Sequence, residues 1–563
     1  MTTKTRIIPA LLLSAMLLPL SVSAYTYTVS NGKATITKYN GSGGDVSIPS
    51  SLNGYSVTSI GYKAFSSCSS LTSVNIPDSV TYIGSYAFSA CTSLTNATIG
   101  NSVTYIGEYA FDYCPALTSV IIPDSVTYIG SRAFQQCSSL TSVNIPDSVT
   151  HIDVGTLQQC SSLTSITIPD SVTSISAGAF SGCTLLSSVL FTGNAPTIYK
   201  DAFEATPATL YYFPGTSGWG TSVAGRPAKP LLSYDEKNGG ATITSIDTSF
   251  TGNYVPLPPK LAGLPVTAIG SSAFRSCIDL TSITLPDSVT TIGPYAFHGC
   301  TSLTSANIPD GVTSIGTYAF YNCHSLQEVT LPDSVTTIGD YAFAFCSSLW
   351  DVIIPDNVKR IGRGTFSGCY SLESVTLPTG ITAIGDDAFS YCASLTAIAL
   401  PDTLTTIGDY AFTGCDSLSS VTIPAGVTSV GDDAFSFCDS LTSVLFTGDA
   451  PDIGTYAFDN TPATLYHLPG TTGWSCPPAG YPVVCWNPAF SPASPPRFDS
   501  GAFSFTLTGN ADLPVRIEAC DSLAAPVWAP VSDTTIPASG TLDFTDPDAA
   551  SRPSRFYRVR FPQ

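Results

Sequence analysis

The side chains of this 563-residue chain that could do chemistry are led by 17 cysteines, and most of them fall on a fixed step. Cys68, Cys91, Cys114, Cys137, Cys160 and Cys183 are each 23 residues apart. Cys277, Cys300, Cys323, Cys346, Cys369, Cys392, Cys415 and Cys438 repeat the step. A column of thiols suggests redox or metal chemistry. The competing reading is a column of small core residues, because free cysteine is among the most buried residue types. Stacked strands lie ~4.8 Å apart, inside the loose Cα range for a disulfide, so distance alone does not exclude bridges. Thiols pointing inward in parallel nevertheless suit the disulfide dihedral poorly, and the ladder is expected to be reduced and buried. Cys476 and Cys485 break the period in a proline-rich stretch and are expected to pair if the chain is exported.

Carboxylates form a second column: Asp78, Asp124, Asp147 and Asp170, then Asp287, Asp310, Asp333 and Asp356. Aligned carboxylates suit Ca²⁺, which favours oxygen ligands, but Asp also simply suits a turn. Asp386-Asp387 and Asp432-Asp433 look like acid/base pairs; the alternative is that they open a helical turn, where negative charge is favoured. His151, His298, His324 and His467 occupy unrelated positions with no metal spacing. No nucleophile elbow, zinc-protease motif, phosphate loop or dinucleotide fingerprint is present. No catalytic residue, cofactor site or metal site is assigned, and the chain is not expected to be an enzyme.

The elements that carry these columns follow from one unit, Leu71-Thr-Ser-Val74-Asn-Ile76-Pro77-Asp78-Ser-Val80-Thr-Tyr-Ile83-Gly84-Ser-Tyr-Ala87-Phe88-Ser-Ala-Cys91. Leu71, Val74 and Ile76 fit a short strand, and Pro77-Asp78-Ser79 is turn chemistry that ends it. Val80 and Ile83 return to the core. The spacing of Ala87, Phe88 and Cys91 predicts a helical turn. A unit of this size cannot bury its apolar face alone, whereas stacked coils bury a continuous one.

The pattern S-L-T-S-V-x-I-P-D-S-V-T-x-I-G-x-x-A-F-x-x-C resembles the BspA-like leucine-rich repeat family from about Leu52 to Tyr466, with one interruption. The resemblance implies a secreted or surface protein, several members being adhesins, without catalysis. The chain is therefore read as a leucine-rich repeat solenoid of short strands plus helical turns in two blocks, followed by a small all-β sandwich. Gly32–Thr37 recurs as Gly239–Thr244, and Leu190–Pro196 recurs as Leu445–Pro451, so each block has its own opening and closing sequences. Block one is placed at 25–230 and block two at 231–487. The C-terminal domain, 488–563, alternates at Phe503, Phe505 and Leu507 and at Val515, Ile517 and Ala519. It resembles C-terminal domains of secreted bacterial proteins through F-x-F-x-L-x-G, I-E-A and R-F-Y-R-V.

Residues 1–24 read as an export signal. Lys4 and Arg6 precede an apolar stretch, Ile7 to Leu20, and Val22 and Ala24 stand at −3 and −1 of a cut before Tyr25. The apolar stretch is too short to span a bilayer, which takes ~20 residues, and no transmembrane segment is expected in the mature chain. The expected location is secreted or on the cell surface. Lys and Arg number 21 against 41 Asp and Glu, a net charge of −20 that excludes ordinary nucleic-acid binding.

Two surfaces remain as candidates. Between Gln327 and Glu373 the usual Ser and Thr give way to Glu328, Trp350, Asp351, Lys359, Arg360, Arg363, Tyr370 and Glu373. Trp, Tyr and Arg are enriched at binding hot spots, and these residues are expected to form one partner-binding patch centred on Trp350, Arg360 and Arg363. Tyr82, Tyr105 and Tyr128 form a ladder that offers stacking to a glycan, or that simply stacks coil on coil. Arg552, Arg555, Arg558 and Arg560 either dock an acidic polymer or protect a sheet edge. The function expected is adhesin-like binding of a protein or glycan outside the cell; the alternative is a surface-layer or matrix component acting by self-association.

Overall fold

A computed structural model describes residues 24–474, 481, 483–499, 502–524, 526–552 and 554–562. Residues 1–23 of the export signal and Cys476 lie outside the described residues, so the Cys476–Cys485 pairing does too.

Each repeat is one coil of a β-solenoid. The strand Leu71–Asn75 is followed by the turn at Pro77 to Ser79, the two-residue strand Tyr82–Ile83 and a run of turns to Cys91. Equivalent strands pair in parallel at the 23-residue step: Ser73 with Asn96, Ser119 and Ser142 in one sheet, Tyr82 with Tyr105 and Tyr128 in another. Leu71, Val74, Ile76, Val80, Ile83, Ala87, Phe88 and Cys91 are buried. Antiparallel hairpins open the two repeat arrays, Tyr25–Ser30 with Lys33–Tyr39 and Leu232–Lys237 with Gly240–Ile246. Asn31-Gly32 and Asn238-Gly239 take the positive φ that such two-residue turns require.

The segment after Gly84 is not a helical turn. Tyr86 and Ala90 have φ of 60° and 58°. Ala87, Ser89 and Cys91 donate their N–H to the carbonyl three residues back, while Tyr86, Phe88 and Ala90 donate to Glu108, Ala110 and Asp112 of the next coil. A helix would satisfy all these N–H groups within itself and leave none to hold the next coil. The left-handed residues turn every second N–H along the stack instead. Asp386-Asp387 and Asp432-Asp433 therefore cap no helix. Asp387 and Asp433 are themselves left-handed, and Asp386 and Asp432 accept the backbone N–H of Asp409 and Thr455 in the following coil.

The cysteine column is explained by the same need. Cys91 Sγ donates to Phe65 O at 3.1 Å, and Cys114, Cys137 and Cys160 repeat the contact to the preceding coil; the second array does so from Cys300 to Cys438. Cysteine is small, apolar and still able to satisfy a buried carbonyl. The cysteines of the ladder are free, and only Cys68 and Cys277, at the start of each array, are partly exposed. Burial pushes the thiols of Cys183, Cys323, Cys369 and Cys438 up to about 12, and only the thiolate reacts readily. Alkylation of native protein at pH 8 should thus leave these four unmodified, and denaturant should expose them all. Rapid native labelling of Cys369 would refute this account.

Serine and threonine act as staples too. Thr104 and Thr127 Oγ1 donate to Thr81 O and Thr104 O, and Ser125 and Ser334 Oγ donate to Val103 O and Val312 O, each one coil back. The glycine before most runs of turns permits close stacking: a Cβ on Gly107 would stand 2.5 Å from Ser85 N.

The chain divides into two compact units: residues up to 189 with 193–210 and 220–227, and residues 190–192, 211–219 and 228 onward. Leu190, Tyr211 and Phe213 belong to the core of the second unit with Leu232, Ile243 and Val255. At the end of that unit the C-terminal strands form two antiparallel sheets, one containing Ala502–Thr508 and Thr541–Asp546, the other Pro514–Cys520, Ala529–Thr535 and Phe556–Arg560. Phe505, Leu507, Val515, Ile517 and Phe561 pack with Leu445 and Tyr466 of the repeats. Most of the tail arginines are engaged internally: Arg552 with Asp521, Arg555 with Asp546 and Asp521, Arg558 with Glu518 and over the Trp528 ring at 4.4 Å.

Candidate functional site

The altered coils of the second array present their candidate residues on separate faces. The strands Glu328–Thr330, Asp351–Ile353 and Ser374–Thr376 are neighbours in one sheet, with Glu328, Asp351 and Ser374 at one register position. Ser374 Oγ donates to the Asp351 carboxylate. Trp350 stands just before its strand; its N–H donates to Gln327 O and its carbonyl accepts from Glu373. Val352 and Ile354 point into the core, whereas Trp350 is 47% exposed and Ile353 63%.

The turn at Pro355 to Asn357 then carries the chain to a second sheet. Arg360 lies there on the strand Arg360–Ile361, paired with Ala383–Ile384. Lys359 Nζ donates to Asp356 O. Arg363 lies in the turns, 3.4 Å from Asp387 Oδ2 and 5.9 Å from the Tyr341 ring centroid. Tyr370 is exposed beyond Cys369. The structure thus groups Glu328, Trp350, Asp351 and Glu373 at one sheet and places Lys359, Arg360 and Arg363 beyond the turn at Pro355 to Asn357. Arg360 and Arg363 do not accompany Trp350; the exposed side chains of its own strand region are Trp350 and Ile353, with Glu328 and Asp351 in register on that sheet. A 23-residue period aligns equivalent residues along the stack, but the turns decide which residues of a single coil share a face.

Arg360 instead heads a shallow groove of about 640 Å³ along the second sheet, lined also by Asp386, Asp409, Asp432 and Asp452. These acids serve the backbone: Asp386 and Asp409 accept N–H groups from Asp409 and Asp432. Among the described residues, no three His, Cys, Asp or Glu side chains gather as a metal site, and no helix is long and apolar enough to cross a membrane.

The tyrosine ladder stacks on itself. Tyr82, Tyr105 and Tyr128 have ring centroids 4.8 Å apart with interplanar angles of 11° and 20°. Stacked rings cover one another's faces and leave mainly edges and hydroxyls to solvent. Tyr86 and Tyr109 stack likewise at 4.6 Å, and Tyr295, Tyr318 and Tyr341 at 5.0 Å. Sequence reading overlooked the closing tryptophans: Trp219 stacks on Tyr212 and Trp474 on His467. The duplicated P-G-T-x-G-W at Pro214–Trp219 and Pro469–Trp474 was the available signal.

A family described as the BspA type leucine-rich repeat region matches residues 44–162, 106–218, 267–393 and 336–465. No curated protein matches the chain. Among solved structures, a leucine-rich repeat protein from Bacteroides ovatus is 27% identical over 76% of this chain and 94% of its own, with a TM-score of 0.31. The T. pallidum leucine-rich repeat protein is 36% identical over 33% of this chain and 88% of its own, with a TM-score of 0.31. A leucine-rich cell surface protein from Faecalibacterium prausnitzii is 28% identical over 76% and 94%, with a TM-score of 0.23. The repeated motif, the parallel 23-residue register and the family match over residues 44–218 and 267–465 agree: the chain belongs to the BspA-type leucine-rich repeat family.

Proposed function

We propose that the protein is a secreted or cell-surface, adhesin-like binding protein without catalytic activity, and that it engages a protein partner through the sheet bearing Trp350. One observation carries the reading. At the Trp350 position in earlier coils, a threonine hydroxyl staples the stack, as Thr304 does to Thr281 O at 3.2 Å. Gln327, Trp350 and Glu373 occupy this position in three successive coils. Each forgoes a hydrogen bond of about 0.5–1.5 kcal/mol while the core beneath is unchanged. The exchange adds nothing to the stack, and contact with a partner would account for it. Trp350 and Ile353 supply the apolar centre, and Glu328, Asp351 and Glu373 favour a basic rim on the partner.

The test restores the repeat. Trp350→Thr with Ile353→Thr returns both positions to residue types found in neighbouring coils. Saturation binding to a panel of purified extracellular proteins should select basic partners, weaken with added salt and fall roughly 30-fold or more in the double variant, on the scale of a hot-spot loss of about 2 kcal/mol. The melting temperature should stay near wild type. Undiminished binding by the double variant would refute this site.

A further inference from the structure

The run of turns in the last coils of the second array holds aromatic side chains in an arrangement unlike the stacked ladders. Two columns of left-handed residues run along this face. One contains Phe345, Gly368, Tyr391, Gly414, Phe437 and Asn460; the other contains Gly364, Asp387, Tyr410, Asp433 and Tyr456. In the earlier ladders an aromatic recurs every coil and the rings stack. Here it recurs every 46 residues, at Phe345, Tyr391 and Phe437 and again at Tyr410 and Tyr456. Two coils span about 9.6 Å, twice the ~4.8 Å strand spacing, and that is beyond the ~4.5–7 Å at which rings pair. These rings cannot cover one another.

In the first column two intervening glycines make room for Phe345 and Tyr391. A Cβ on Gly368 would lie 2.7 Å from Phe345 Cδ1, and one on Gly414 would lie 2.8 Å from Tyr391 Cδ1. Each of these two rings reaches over a bare glycine of the next coil. Tyr391, Phe437 and Tyr456 are more than half exposed, and Tyr410 is 45% exposed. The chain thus sets large apolar rings in water at a constant step and forgoes the stacking that it uses elsewhere. In the second column Asp433 stands between Tyr410 and Tyr456, and Asp387 stands one coil before Tyr410. The Asp433 charge, with burial and a hydrogen bond to it, raises the Tyr410 hydroxyl pKa.

We propose that this face is a platform for an extended, uncharged, β-1,4-linked polysaccharide lying along the solenoid axis, with Tyr391 and Phe437 as one rail and Tyr410 and Tyr456 as the other. Rings at a fixed step call for a ligand with the same repeat, and two coils approximate one disaccharide of an extended β-linked chain. The C–H face of each sugar packs on a ring, and carboxylates beside the rails accept hydrogen bonds from its hydroxyls. The acidic surroundings and the net charge of −20 disfavour uronic or sulfated polymers. The platform uses none of the residues of the Trp350 sheet and stands or falls apart from it.

Affinity electrophoresis of the full chain in gels containing hydroxyethylcellulose or a soluble β-1,4-mannan tests this, with dextran and polygalacturonate gels as comparisons. Asparagine replaces the four aromatics, Tyr391→Asn, Phe437→Asn, Tyr410→Asn and Tyr456→Asn, because it tolerates a left-handed backbone and already stands at Asn322 and Asn460 of one column. The wild type should be retarded in at least one β-1,4-linked gel and pass freely through dextran and polygalacturonate. The quadruple variant should lose the retardation, with affinity reduced roughly tenfold or more as several ring contacts go, and should keep the wild-type circular dichroism and melting temperature. Trp350→Thr should be retarded like wild type. Free passage of the wild type through both β-1,4-linked gels, equal retardation of the quadruple variant, or stronger retardation by polygalacturonate would each overturn the proposal.

Discussion

Replacing Phe320 by alanine should lower the unfolding free energy of the second unit by about 3–5 kcal/mol. Phe320 is fully buried, with its ring 5.0 Å from that of Phe297 and 5.2 Å from that of Phe343, nearly parallel to both. It belongs to a continuous column from Phe274 to Phe458. Truncation opens a cavity between two coils, and neither can close it without breaking the N–H bonds between their turns. Because solenoid stability is a sum of coil and interface terms, a weakened interface should also reduce cooperativity, seen as a lower m-value in urea. Phe320→Leu should cost much less, since Leu157 already takes the phenylalanine position between Phe134 and Phe180 in the first array. A loss under about 1 kcal/mol for Phe320→Ala would mean that the column fills space without holding the coils together.

The second large effect is expected at Asp546, in the C-terminal domain. Its side chain is only 7% exposed and lies 2.7 Å from Arg555 Nε, although that N–H does not point along the contact. It also accepts from Tyr557 Oη at 2.7 Å and from Asp548 N at 3.0 Å. Burial alone would raise this carboxyl, but Tyr557, the Asp548 N–H and Arg555 outweigh it and hold it below the usual carboxylate value. The folded pKa is thus depressed, so its stabilisation is complete above the unfolded pKa, ~3.9, and is lost as pH falls through the folded value. Asp546→Asn should cost about 3–5 kcal/mol at neutral pH by leaving Arg555 poorly compensated, with Asp521 at 3.4 Å keeping the loss toward the lower end. Hydrogen exchange of the strands Pro514–Cys520 and Phe556–Arg560 reads this locally. Protection should fall in wild type below pH 4 and depend less on pH in the variant. Parallel pH profiles for the two proteins would show that Asp546 is not the acid-sensitive group.

The solenoid follows from the repeat period. A 23-residue period with apolar residues at fixed offsets leaves each unit without a core of its own, so the units must stack, and stacking places Cys91 beside Cys114 and Tyr82 beside Tyr105. The antiparallel tail was legible from alternation at Phe503, Phe505 and Leu507. Within a coil, the period is silent. The compact spacing of Ala87, Phe88 and Cys91 reads as a helical turn, yet Tyr86 and Ala90 adopt left-handed backbone and send alternate N–H groups to the next coil. That arrangement becomes favourable only when a neighbouring coil is there to accept the bonds. The same turns carry Arg360 away from Trp350 and set Phe345 and Tyr391 over Gly368 and Gly414 of the next coil. Which residues follow one another along the axis is fixed by sequence spacing. Which residues stand side by side around the coil is fixed by backbone torsions whose energy is repaid by hydrogen bonds between coils, and only the tertiary structure decides them.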